Sequence, residues 1–246
     1  MEGLIIAFST YSRIPMPRVD FDDDNMKYTI CFFPLVGIAI GGLSWIFMAA
    51  AEFFGIGEIL RAVVLTLVPL VVTGGIHLDG LLDTADAVSS WQTREKRLEI
   101  MKDSHCGAFS VIWCGAYYLA CYGVMSQIYL SDMPQLMLIY VISRILSAIA
   151  LLSFPKAKKS GLLRTFSDKA MNKKGRWILM IELCAACVIL LSAGLLSGGI
   201  ILLCGAICFL FYYRLTIKTF GGITGDLAGC FLCIAELAMT AAAALA

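Results

Sequence analysis

The chain has 246 residues, 60% of them hydrophobic and 15% charged, with a mean hydropathy of +0.85. A soluble domain of this length needs more charge to cover its surface, so the class is integral membrane protein. A net charge of +1 offers no basic surface for nucleic acid, and no nucleic-acid partner is expected.

The N-terminus, MEGLIIAFSTYSRIPMP, starts acidic and has no basic region before its apolar part, so no cleavable signal peptide is expected. Apolar runs follow at 30–51, 62–78 and 106–131, then at 133–155 with Arg144 inside, at 177–213, and from 227 to the C-terminus with Glu236 inside. A helix needs about 20 apolar residues to cross a bilayer. The run 177–213 is too long for one span, and Gly198-Gly199 predicts a hairpin within it. The expected fold is all-α, a polytopic membrane bundle of about seven transmembrane helices in a single catalytic domain, 1–246, with the lipid bilayer as partner. Whether the chain forms a homo-oligomer is left open.

Lysine and arginine positions set the orientation. Seventeen basic residues fall on alternate connections of one side, Arg61 alone falls on the other, and Arg144 lies in a span. The N-terminus is therefore expected in the cytoplasm, with the C-terminus outside. His77, Asp79, Asp83, Asp86, Asp103, His105 and Asp226 then all come to the cytoplasmic side. The pairs CAAC (184–187) and CFLC (230–233) sit inside apolar helices with no further ligand nearby in sequence, and small buried thiols account for them better than zinc.

The stretch GGIHLDGLLDTADAV (74–88) places Asp79, Asp83 and Asp86 at i, i+4 and i+7, one stripe of a helix. Like charges gathered near lipid are costly unless a cation neutralises them. Oxygen-only ligands suit Mg²⁺ or Mn²⁺, and Mg²⁺ commonly joins carboxylates to substrate phosphates. The competing reading, an ordinary helix start with Asp79 as N-cap, leaves Asp86 unexplained. His77 joins the carboxylates only if the backbone bends at Gly74-Gly75 or around Gly80. It reads equally as a general base or as an interfacial histidine bonded to a carbonyl.

Two further polar motifs follow. MKDSHCGAF (101–109) carries Lys102, Asp103 and His105, and GGITGDLAG (221–229) opens the last helix with Thr224, Gly225 and Asp226. Glycine-rich loops that start helices offer free N–H groups to phosphate, although Asp226 also reads as a plain N-cap. Arg144 within its span reads either as a structural partner of Glu236 or Glu182, or as a fixed cation for phosphate.

These motifs, with SRIPMP (12–17), FPLVG (33–37) and ISR (142–144), resemble those of the cobalamin synthase family, also called adenosylcobinamide-GDP ribazoletransferases, along nearly the whole chain. The resemblance implies a polytopic, Mg²⁺-dependent enzyme of the bacterial inner membrane. It would join adenosylcobinamide-GDP to α-ribazole or its 5′-phosphate and release GMP. The family's acidic motif falls on His77, Asp79, Asp83 and Asp86 and its glycine-rich motif on Thr224, Gly225 and Asp226; metal ligation by Asp79, Asp83 and Asp86 and catalytic roles for His77, Asp83 and Asp226 are the expected mechanism. Substrate contacts would come from Lys102, Asp103, His105, Arg144, Lys158, Thr224 and Gly225. The family's usual DSR is Asp103-Ser104-His105 here, its AR..GLG is Ala157-Lys158-Lys159-Ser160-Gly161-Leu162-Leu163, and Cys233 replaces a usual glutamate. Two rivals remain. A CDP-alcohol phosphotransferase would need Ala-Arg after the DG of its motif, where this chain has Leu81-Leu82-Asp83. A cation-coupled transporter would show inverted repeats and mid-membrane carboxylates.

Overall fold

The structure, a computed structural model, describes residues 2–21, 26, 28–103, 105–157 and 173–246. Among these residues the regular structure is helical. The helices are α1 (Glu2–Tyr11), α2 (Phe33–Phe53), α3 (Glu58–Thr73), α4 (Ile76–Ser89), α5 (Arg94–Ile100), α6 (Ala108–Met125), α7 (Met133–Ser153), α8 (Lys173–Ala193), α9 (Leu195–Leu215) and α10 (Gly225–Leu245). Short 3₁₀ turns lead into α2 and α7, and a π-helical turn, Thr216–Phe220, closes α9.

Six of these helical segments are long and apolar enough to cross a membrane. A seventh span results if α3 and α4, bent by 94° at their junction, are taken together. The chain is thus a polytopic helical bundle, as its hydropathy predicts. At its centre lie α7 and α10, whose side chains are mostly buried; α2 packs along α7, and α10 packs on α4, α9, α7 and α6. The outer helices α6, α8 and α9 turn Ile112, Ile181, Val188, Leu203 and Ile207 outward, each more than half exposed, as lipid-facing surfaces require.

Two boundaries differ from expectation. The expected hairpin does not turn at Gly198-Gly199, because both glycines lie inside α9; the break is at Gly194, whose backbone is extended. A Cβ at Gly198 would stand 2.8 Å from the Leu190 carbonyl oxygen, so this residue serves the close approach of α9 to the end of α8. The second apolar run, expected to continue helically to residue 78, stops at Thr73. Gly74 and Gly75 take φ values of +65° and +82°, a left-handed pair that glycine adopts without strain. Thr73 Oγ donates 2.7 Å back to the Pro69 carbonyl, and the Asp79 N–H, 2.9 Å from the Gly75 carbonyl oxygen, starts the new helix.

Candidate active site

The bend at Gly74-Gly75 organises the site. On one side it receives the end of α1. The Arg13 N–H donates 2.7 Å to the Val72 carbonyl, and a Cβ at Gly74 would stand 2.5 Å from Arg13 Cγ and Nε, so the arginine side chain crosses directly over the glycine. On the other side α4 runs against α10. A Cβ at Gly80 would lie 2.5 Å from the Asp226 carbonyl oxygen, and one at Gly229 would lie 2.9 Å from the His77 carbonyl oxygen. These approaches set the first turns of the two helices side by side. The partially positive N-terminal ends of both helices therefore converge, an arrangement that favours an anion. Because these glycines have no room to grow, Gly80→Val is expected to push α4 off α10 and lower turnover by at least roughly tenfold, since a displacement of about 1 Å suffices for that. Steady-state kinetics of the purified variant checks this.

Two cavities meet here. The larger, about 670 Å³, lies between the end of α1 (Ser9, Thr10, Ser12, Arg13) and the bend with Asp79. The smaller, about 200 Å³, is lined by Tyr11, Phe33, His77, Leu151, Asp226 and Leu232 among others. Thr10, Ile76 and Asp79 belong to both walls.

The candidate residues fall into groups. Asp79, His77, Gly225 and Asp226 come together on the smaller cavity. Asp79 is not the N-cap of its helix; Gly75 holds that position, leaving the carboxylate in the first turn. Nor is Asp226 a cap, because Thr224 Oγ accepts the Leu227 N–H at 3.1 Å. Asp83, half-buried one turn beyond Asp79, lines neither cavity. Asp86 has a different set of partners from those expected of a ligand. Its two oxygens accept the Gly107 N–H at 2.7 Å, the Ser110 N–H at 3.0 Å and the Ser110 hydroxyl, so they cap the start of α6. Asp86→Ala is accordingly expected to lose about 0.5–2 kcal/mol of stability, the usual worth of a cap, while activity falls less than tenfold. Thermal unfolding and turnover of the same preparation check both halves.

The segment with Lys102, Asp103 and His105 is fastened by that cap to the far end of α4 and lines neither cavity. Within it the His105 N–H, 3.0 Å from Asp103 Oδ1, and then the His105 ring hold the Asp103 carboxyl below the usual carboxylate range. Arg144 is wholly buried beneath the site. Its Nη1 donates 2.6 Å to Glu236 Oε1 and 2.8 Å to the Tyr140 carbonyl, so its ion-pair partner is Glu236 and not Glu182. Lys158 lies outside the described residues, just beyond Ala157, whose N–H bonds the Ile223 carbonyl of the glycine-rich turn at 3.1 Å.

Sequence reasoning passed over Thr10, Arg13, Phe33 and Ser147 as site residues. Arg13 lies within SRIPMP and Phe33 within FPLVG, so the motifs themselves were the signal.

Among the described residues no three His, Cys, Asp or Glu side chains converge closely enough to cage an ion alone. Asp79 and Asp226 on a shared cavity still fit Mg²⁺, which takes one or two carboxylates and completes its shell with water and substrate phosphate.

A family model described as cobalamin-5-phosphate synthase matches residues 3–244. The chain belongs to that family. Relatives named adenosylcobinamide-GDP ribazoletransferase include one from Lachnoclostridium phytofermentans, 40% identical over 96% of this chain and 91% of its own. Others come from Clostridium botulinum (strain Alaska E43), 32% identical, and Desulfitobacterium hafniense, 30% identical, each over 96% of this chain and 94% of its own. No solved structure matches this chain.

Proposed function

We propose that this membrane protein is an adenosylcobinamide-GDP ribazoletransferase. It would join the cobinamide phosphate of adenosylcobinamide-GDP to α-ribazole or its 5′-phosphate, release GMP, and work at the cytoplasmic face of a bacterial inner membrane. The observation that carries this reading is the convergence of Asp79, His77 and Asp226 on cavities at two apposed helix N-termini, in a chain of this family.

The reaction is a displacement at phosphorus. A ribose hydroxyl oxygen of the acceptor bonds to the phosphorus that bears the cobinamide arm. The bond from that phosphorus to the bridging oxygen breaks, and GMP departs with the oxygen and its electron pair. The hydroxyl proton passes to a base, for which His77 or an aspartate of the site serves. Such transfers depend on positioning and charge neutralisation more than on covalent help. Asp79 and Asp226, with Asp83 one turn on, would hold Mg²⁺. When bound, the ion supplies Lewis-acid neutralisation of the diphosphate oxygens. The apposed helix starts add fixed positive potential toward the same anion. The seventeen-to-one asymmetry of basic residues supports the cytoplasmic placement.

The test supplies purified protein in detergent with adenosylcobinamide-GDP, α-ribazole and Mg²⁺ and measures GMP. GMP formation that needs both substrates and stops with a chelator supports the proposal. Chelator-insensitive release removes the metal, and absence of release removes the function.

A further inference from the structure

The two cavities differ in chemistry as well as size. The larger carries hydroxyls from Ser9, Thr10 and Ser12 and the Arg13 guanidinium on one wall, and the start of α4 with Asp79 on the other. Its volume of about 670 Å³ falls within the range of whole ligand sites. The smaller, at about 200 Å³, is below that range and admits only part of a ligand. Its walls include Tyr11, Phe33, Leu151 and Leu232, apolar groups suited to a flat ring. Two polar atoms on those walls are buried without a hydrogen-bond partner, Ser147 Oγ and His77 Nε2. Ser147 is 0% exposed. A buried hydroxyl left unpaired is costly, so a small apolar chamber holding one calls for a ligand with a matching polar atom.

Resting on the function proposed above, we infer that the site is partitioned at Asp79. The larger cavity takes the diphosphate of the nucleotide donor, with Arg13 as a substrate-binding cation. The smaller takes the aromatic base of the benzimidazole nucleoside, with Ser147 donating to its unsubstituted ring nitrogen. The assignment follows from charge and shape. A diphosphate needs cations and N–H groups, which Arg13 and the start of α4 give the larger cavity, and a bicyclic base needs apolar walls, which Tyr11, Phe33, Leu151 and Leu232 give the smaller one beside its carboxylates. The partition puts the ribose between the chambers, so that its hydroxyl faces Asp79 and the phosphorus across the shared wall. The corrin ring, too large for either volume, stays outside.

Two single substitutions test this on the full-length protein in detergent. Ser147→Ala removes only an unpartnered hydroxyl, so a purely structural role leaves catalysis untouched. The partition instead expects a roughly fivefold rise in KM for α-ribazole, the usual worth of one neutral hydrogen bond, with KM for adenosylcobinamide-GDP unchanged. Arg13→Gln is expected to do the reverse, raising the donor KM roughly tenfold or more, as loss of a charge-assisted contact does. Equilibrium binding of GDP and of α-ribazole to each variant gives the same split without turnover. If both variants raise the same constant, or neither raises any, while the wild type still releases GMP, the partition is overturned and the function stands. If the wild type releases none, the function falls first and takes the partition with it.

Discussion

Asp79→Asn is expected to reduce GMP formation by roughly 10³-fold, the scale on which loss of one charge-stabilising group at a phosphoryl site is felt. Asparagine keeps the volume and one oxygen but not the charge that would bind a cation. Asp79 stands on the wall common to both cavities, so the loss reaches the donor and the acceptor together. Because the residue is exposed and is not the N-cap of its helix, thermal stability in detergent should stay near that of the wild type. The measurement pairs single-turnover GMP release with a melting curve. Substantial activity in the variant would remove Asp79 from the metal site. Asp83→Asn is expected to cost a comparable factor, which separates these two positions from Asp86, whose oxygens fasten α6.

The second large effect is on stability. Glu236→Leu strips the counter-charge from Arg144, which is 0% exposed and also lies 5.8 Å from the Phe33 and Tyr140 ring centroids. Guanidinium does not give up its proton in proteins, so the charge would remain buried and unpaired, at a cost of about 3–5 kcal/mol. Arg144→Met should be milder, because Glu236 keeps the Ser143 hydroxyl, 2.8 Å away, as a hydrogen-bond donor. The double variant, Arg144→Met with Glu236→Leu, should recover most of the loss, since removing both partners of a buried pair is often neutral. Thermal unfolding of the three variants forms the cycle that checks this. Unaltered stability in Glu236→Leu would give Arg144 another partner and revive its expected contact with phosphate.

Much of the architecture was readable from hydropathy alone, because a segment crossing lipid must satisfy its own backbone and show an unbroken apolar run. The helix carrying Asp79, Asp83 and Asp86 was likewise readable from their spacing. What the spacing does not contain is the partner of each residue. A stripe of three carboxylates predicts one common ligand, yet the stripe is long enough for its far end to reach a different helix, and Asp86 is used there. Gly198-Gly199 looked like a break because paired glycines disfavour helix in isolation. Tight packing against Leu190 explains the first of them inside α9, and nothing in the structure requires the second. Arg13 counted in the sequence as a topological charge and as part of SRIPMP, with no role of its own. Its place over Gly74 depends on a contact across some sixty residues, which no local pattern encodes.

The turn at Gly74-Gly75 has a consequence for where the chemistry sits. Helix α3 is 16 residues long and so rises about 24 Å, against a hydrocarbon layer of about 30 Å. Starting from one surface at Glu58, it runs out roughly one turn short of the other. On the function proposed above, the site between α1 and α4 would then lie below the water line, where a local dielectric below that of bulk solvent would strengthen contacts with a diphosphate. Membrane residence, which soluble substrates would not demand, would on this reading supply a low-polarity surround.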